Sequence, residues 1–87
     1  MKKYKKYGVI YHFSTSPFPR SMVYESAYAE ATTPFKAFIK LLQWYSSRID
    51  ACNNPDCQCR YNQMFVSSEM DPDLKASGAY DKITTIK

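Results

Sequence analysis

The stretch Thr32-Thr33-Pro34-Phe35-Lys36-Ala37-Phe38-Ile39-Lys40-Leu41-Leu42-Gln43-Trp44-Tyr45-Ser46-Ser47-Arg48-Ile49-Asp50 decides the fold. Thr33 is a helix-capping residue and Pro34 suits a first helical turn, where its missing N–H costs nothing. From there Phe35, Phe38, Ile39, Leu42, Tyr45 and Ile49 recur at helical spacing, and Leu41 and Trp44 widen the stripe. Lys36, Lys40, Gln43, Ser47 and Arg48 supply a polar side. The pattern predicts one long helix ending near Arg48 to Asp50, with a basic residue in its last turn to suit the helix dipole.

Short strands lie on either side of that helix. Met22 to Ala31 alternates, with Val23, Ala27, Ala29 and Ala31 on one face and Met22, Tyr24, Ser26, Tyr28 and Glu30 on the other. The small residues suit close contact with a helix, which leaves the tyrosines on the opposite face. Further upstream, Tyr7 to Phe13 is rich in aromatic and β-branched residues and reads as a strand, and Ser14 to Ser21, with Pro17 and Pro19, reads as a loop. Downstream, Ala51 to Gln58 is a polar loop and Arg60 to Glu69 a third strand with bulk on both faces. Asp71-Pro72 resembles another helix start, with Gly78 as its stop, before a last strand over Tyr80 to Lys87. The expected fold is α+β: a small, mostly antiparallel four-stranded sheet with one long helix on one face, in the order β-β-α-β-β with a short helical turn before the last strand. One helix covers one face of such a sheet, so the other face is expected to meet solvent, a second copy or a partner.

With 87 residues the chain fits one domain, spanning 1–87, with a thin core. Hydrophobic residues at 45% and charged residues at 23% speak for a folded chain rather than a disordered one. Eight Tyr, five Phe and one Trp are more aromatic rings than so small a core holds, so some are expected on the surface. The net charge of +4 gathers at the start, in Lys2, Lys3, Lys5 and Lys6, and favours an anionic partner or simple solubility. No segment approaches the length of a membrane span, and the basic start lacks a good cleavage region, so a cytoplasmic protein is expected (host cytoplasm if phage-encoded).

Cys52, Cys57 and Cys59 crowd into one polar loop as C-x4-C-x-C. Three thiolates can form three corners of a tetrahedral zinc site, with His12, the single histidine, or Asp50 or Asp56 as the fourth ligand. Such a structural zinc would pin the end of the helix to the third strand. A disulfide from Cys52 to Cys57 or Cys59, or three free thiols, are the alternatives, the first of which fits poorly with a reducing compartment. Catalysis is not expected. His12 is the only conventional base near neutral pH and lies mid-strand, the acids are scattered, and two glycines, Gly8 and Gly78, cannot build a phosphate-cradling loop.

Two binding functions remain. The interleaved lysines and tyrosines of Lys2 to Tyr7, with Tyr24 and Tyr28 on an open sheet face, suit RNA or single-stranded DNA. The abundant Tyr, with Phe18 and Arg20 in the proline-bearing loop, suits protein contacts, and an exposed face or edge suits a homodimer. In size, aromatic content and lack of a catalytic set the whole chain resembles phage-encoded inhibitors of bacterial defence, such as anti-CRISPR proteins, a class without a shared motif. That resemblance implies a protein partner, and protein binding is the favoured expectation.

Overall fold

The computed structural model describes residues 3–14, 22–51 and 57–87. Its elements are β1 (Tyr4–Ser14), β2 (Met22–Ala31), α1 (Pro34–Ala51), β3 (Cys57–Ser67), α2 (Pro72–Ala76) and β4 (Ile83–Ile86). The sheet order is β3-β1-β2-β4. β1 runs antiparallel to both β2 and β3, whereas β4 runs parallel to β2. The α+β class holds, with a sheet that is mixed rather than antiparallel throughout. Among the described residues no helix is long and apolar enough to cross a membrane.

Helix α1 starts where its cap predicts. Thr33 Oγ1 accepts from the Lys36 N–H at 3.2 Å, and Pro34 opens the first turn. The small residues of β2 then set how close the helix comes. Ala27 and Ala29 are fully buried against Ala37 and Leu41. Across the ladder, Gly8 pairs with Ala27, and a Cβ on Gly8 would stand 3.0 Å from Leu41 Cδ2. A helix this close cannot interpose large side chains. It docks on Ala37 and Leu41, with Trp44 half-buried beside them, and turns Phe35 and Phe38 away. Lys40 and Arg48, expected on the polar side, instead reach toward β2: Lys40 Nζ donates to the Glu30 carbonyl at 3.0 Å, and Arg48 Nε lies 3.6 Å from Glu25 Oε2. The stripe of Phe35, Phe38, Ile39, Leu42, Tyr45 and Ile49 is therefore not the docked face. Phe35 remains 70% exposed and Phe38 38%.

The second face of the sheet is covered in its middle by the chain itself. To reach its place beside β2, the segment after β3 crosses the full width of the sheet on the side opposite α1. Val9, Ala79 and Tyr80 form a second buried cluster there, flanked by Tyr7, Tyr24, Met70, Leu74 and Ile83. Ser26 Oγ ties the crossing down by donating to the Lys82 carbonyl at 2.6 Å. The helical turn expected at Asp71-Pro72 is α2. The Asp71 side chain accepts from the N–H groups of Asp73 and Leu74, and Gly78 at φ 87° ends the turn. The Ala79 N–H reaches Leu74 O at 3.0 Å and the Gly78 N–H reaches Lys75 O at 3.2 Å, the paired bonds of a Schellman stop. The expectation of a bare second face thus gives way to a partly covered one, because Met70, Leu74 and Tyr80 need apolar surface of their own.

Truncating one residue on each side of α1 checks which stripe is core. Leu41→Ala is expected to cost about 2–5 kcal/mol of unfolding free energy. Phe35→Ala, at an exposed position, is expected to change it by less than about 0.5 kcal/mol despite the larger ring. Urea unfolding of dilute protein reads both, and equal losses would contradict the docking described.

Candidate functional site

Alternation along β1 and β2 gathers the tyrosines on the face opposite α1. Tyr7 pairs directly with Tyr28, and Tyr11 with Tyr24, across the ladder. Their ring centroids lie 5.3 and 6.3 Å apart, within the range of favourable aromatic contact. Tyr80, carried over by the crossing segment, sets its ring edge-on to Tyr7 at 6.1 Å and 83°. The middle of the face is thereby closed. Tyr24 and Tyr28 are half-buried rather than fully open, which corrects the expectation of an exposed tyrosine platform.

The two ends of this face differ in character. At one end stand Lys3, Lys5 and Glu30. Lys3 Nζ lies 3.4 Å from Glu30 Oε1, and Lys5 is the register partner of Glu30. Tyr28 donates its hydroxyl to Glu30 Oε2 at 2.6 Å. This bond to a carboxylate, aided by partial burial, pushes the Tyr28 phenol up to about 12. The same bond, with help from Lys3 and Lys5 and against the partial burial, holds the Glu30 carboxyl below its ordinary value. Tyr28 thus stays protonated at neutral pH and acts as a donor, not as a nucleophile or base. The basic start is also split by the pleat: Lys6 pairs with Ala29 on the α1 face, away from Lys3 and Lys5. Lys2 lies outside the described residues.

The other end is aromatic. Phe65 stacks on Tyr11 with centroids 5.5 Å apart and planes at 15°, and it is 45% exposed. The Tyr11 hydroxyl donates to Gln63 Oε1 at 2.6 Å, which fixes the ring that Phe65 lies on. Tyr24 completes the group. Phe65 was not singled out by sequence reasoning; its one signal was a strand carrying bulk on both faces. Phe13 pairs with Met22 at the end of this hairpin, so the loop joining β1 to β2 springs from the same end. Phe18 and Arg20 of that loop lie outside the described residues.

The cysteine expectation falls largely outside the description as well. Cys52 is not among the described residues, and His12, Cys57 and Cys59 are placed by backbone alone. Ser14 pairs with Cys57 and Phe13 with Gln58, with a register shift between Tyr11 and Phe13. The strand segment holding His12 therefore runs beside the one holding Cys57 and Cys59. Among the described residues there is no group of three or more His, Cys, Asp or Glu able to hold a metal ion.

The Tyr28–Glu30 bond has a pH signature with a definite sign. A depressed Glu30 stabilises the fold fully above the ordinary carboxylate range, and this is lost as pH falls through its folded value. A raised Tyr28 stabilises fully below 10.0, and this is lost as pH rises toward about 12. In a carboxyl NMR titration, Tyr28→Phe is expected to move the Glu30 midpoint upward; an unmoved midpoint would rule out the hydrogen bond as the cause. Compared with protein-family models, curated proteins and solved structures, the chain matches none.

Proposed function

We propose that the chain is a non-enzymatic binding domain that acts through protein–protein contacts at the hairpin end of its sheet, in the manner of a phage-type inhibitor of a bacterial defence complex. The observation that carries this reading is the half-exposed Phe65 stacked on Tyr11 beside Tyr24. Rigid aromatic rings offer large contact area for little lost conformational freedom, which is why they dominate protein hot spots. Nucleic acid is less well served. Of the lysines on this face, Lys3 and Lys5 stand at its other end beside Glu30, and six strand steps, about 20 Å, separate Lys5 from Tyr11. A base stacked on Tyr11 would carry its phosphate far from those charges.

Immobilised chain incubated with nuclease-treated bacterial lysate is expected to retain a specific protein, and Phe65→Ala is expected to weaken that retention by roughly 30-fold, as for a hot-spot truncation. Retention of short RNA or DNA on filters at low salt, lost steeply as salt rises and indifferent to Phe65→Ala, would overturn the reading in favour of nucleic acid.

We propose alongside it that Cys52, Cys57, Cys59 and His12 hold one structural zinc. The backbone register that sets the His12 segment beside Cys57 and Cys59 supports this. Native mass spectrometry is expected to show one extra zinc mass, lost together with thermal stability in Cys57→Ser. A metal-free mass at full stability would remove the site.

A further inference from the structure

We infer that the end of the molecule where α1 begins seats on a membrane surface bearing anionic lipid, with Phe35 reaching into the headgroup layer. Four elements bring their residues to this end. β2 finishes at Ala31 and α1 starts at Pro34. β1 starts there as well: Tyr4, Lys5 and Lys6 are the register partners of Ala31, Glu30 and Ala29. β4 runs parallel to β2 and pairs Ile86 with Ala29, so Lys87 falls at the same end. Lys3, Lys5, Lys6, Lys36, Lys40 and Lys87 are thus gathered round it, on both faces of the sheet. The carboxylates that the register sets here are Glu30, tied to Tyr28 and Lys3, and Glu69, two residues past Ser67 on the β3 edge. The first turn of α1 holds no acid, so the positive pole of the helix adds to the field of the lysines.

Exposed rings stand among these charges. Of the four large apolar side chains exposed among the described residues, three are here: Phe35 at 70%, Tyr4 at 40% and Phe38 at 38%. Alternation puts Tyr4 on the α1 face with its partner Ala31, beside the helix start. Lysines around protruding rings suit a surface that lies on a membrane. The rings enter the boundary between headgroups and acyl chains, and the ammonium groups stay with the anionic headgroups.

Charge complementarity makes the occupant anionic, and further features favour lipid over nucleic acid or an acidic protein. The six gathered cations are all lysines. Their compact charges on flexible stems suit a diffuse plane of charge, whereas the planar fork of arginine grips a particular phosphate or carboxylate. Among the described residues no ring packs against Phe35 or Phe38, so neither is held as a platform on which a base stacks. The patch is also the end of two stacked layers, not a groove between them, and single-stranded nucleic acid tracks grooves. The contact is adsorption on a surface: among the described residues no helix is long and apolar enough to cross a membrane.

Flotation of the full chain with phosphatidylcholine vesicles, with and without about 30% phosphatidylserine, tests this. Binding is expected only with phosphatidylserine, and is expected to fall steeply in about 0.5 M salt, where screening shortens to about 4 Å. Lys36→Gln and Lys87→Gln are each expected to weaken it about fivefold, the contribution of one lysine near an anionic surface. Phe35→Ala is expected to weaken it about tenfold with unchanged circular dichroism, and Phe35→Trp to keep it. No binding to phosphatidylserine vesicles at low salt, or equal binding to phosphatidylcholine alone, overturns the inference. So does undiminished binding by Phe35→Ala, or tighter binding to short RNA or to polyglutamate than to the vesicles at equal negative charge. Phe65→Ala is expected to leave vesicle binding intact and Lys36→Gln to leave retention from lysate intact, so this result and that for the hairpin end fail or stand separately.

Discussion

Much of the structure follows from how closely α1 approaches the sheet. Gly8, Ala27 and Ala29 present a nearly side-chain-free floor, and the 3.0 Å that would separate a Gly8 Cβ from Leu41 shows there is no room to spare. Only the slimmest side of the helix fits such a floor. Ala37 and Leu41 go down, and Lys40 and Arg48 straddle the contact to reach β2. Phe35 and Phe38 are left on the outside by geometry, while Trp44 packs at the margin of the contact. A close-packed interior accepts no compromise in which the larger side goes half-way in.

The same closeness makes the α1 side of the core thin, and the chain compensates on the other side. The crossing from β3 to β4 lays Met70, Leu74, Ala79 and Tyr80 over Val9. It also dictates the parallel pairing of β4 with β2, since a strand entered after a full-width crossing arrives in the direction of β3, which is also that of β2. Three local devices hold this layer: the Asp71 cap, the Gly78 stop and the Ser26 bond to Lys82 O. Burial on both faces suits a chain of 87 residues, for which a single helix-on-sheet contact removes little surface from water.

What was legible in the sequence was local. The start of α1 at Thr33-Pro34, the small and tyrosine faces of β2, and the turn at Asp71-Pro72 with its Gly78 stop all follow from neighbours in the chain. What was not legible depends on distant partners. Two apolar stripes run along α1, and periodicity does not say which one docks. Gly8, Ala27 and Ala29 decide that, from other elements. Cys57 to Arg60 read as polar loop or strand edge, yet Cys57 and Gln58 pair with Ser14 and Phe13. The open tyrosine face failed for a similar reason: nothing near Tyr24 or Tyr28 announces that residues 70–80 will lie across it. Phe65 escaped notice because its exposure depends on where that crossing stops short.

Phe65 and the outer side of α1 lie on opposite sides of the sheet, with Phe65 45% and Phe35 70% exposed. Contact at the hairpin end, as proposed, would leave α1 untouched. The crossing segment shapes that end as well: Tyr80, set edge-on to Tyr7, closes the middle of the tyrosine face, so the exposed ring area described on it gathers where Phe65 stacks on Tyr11.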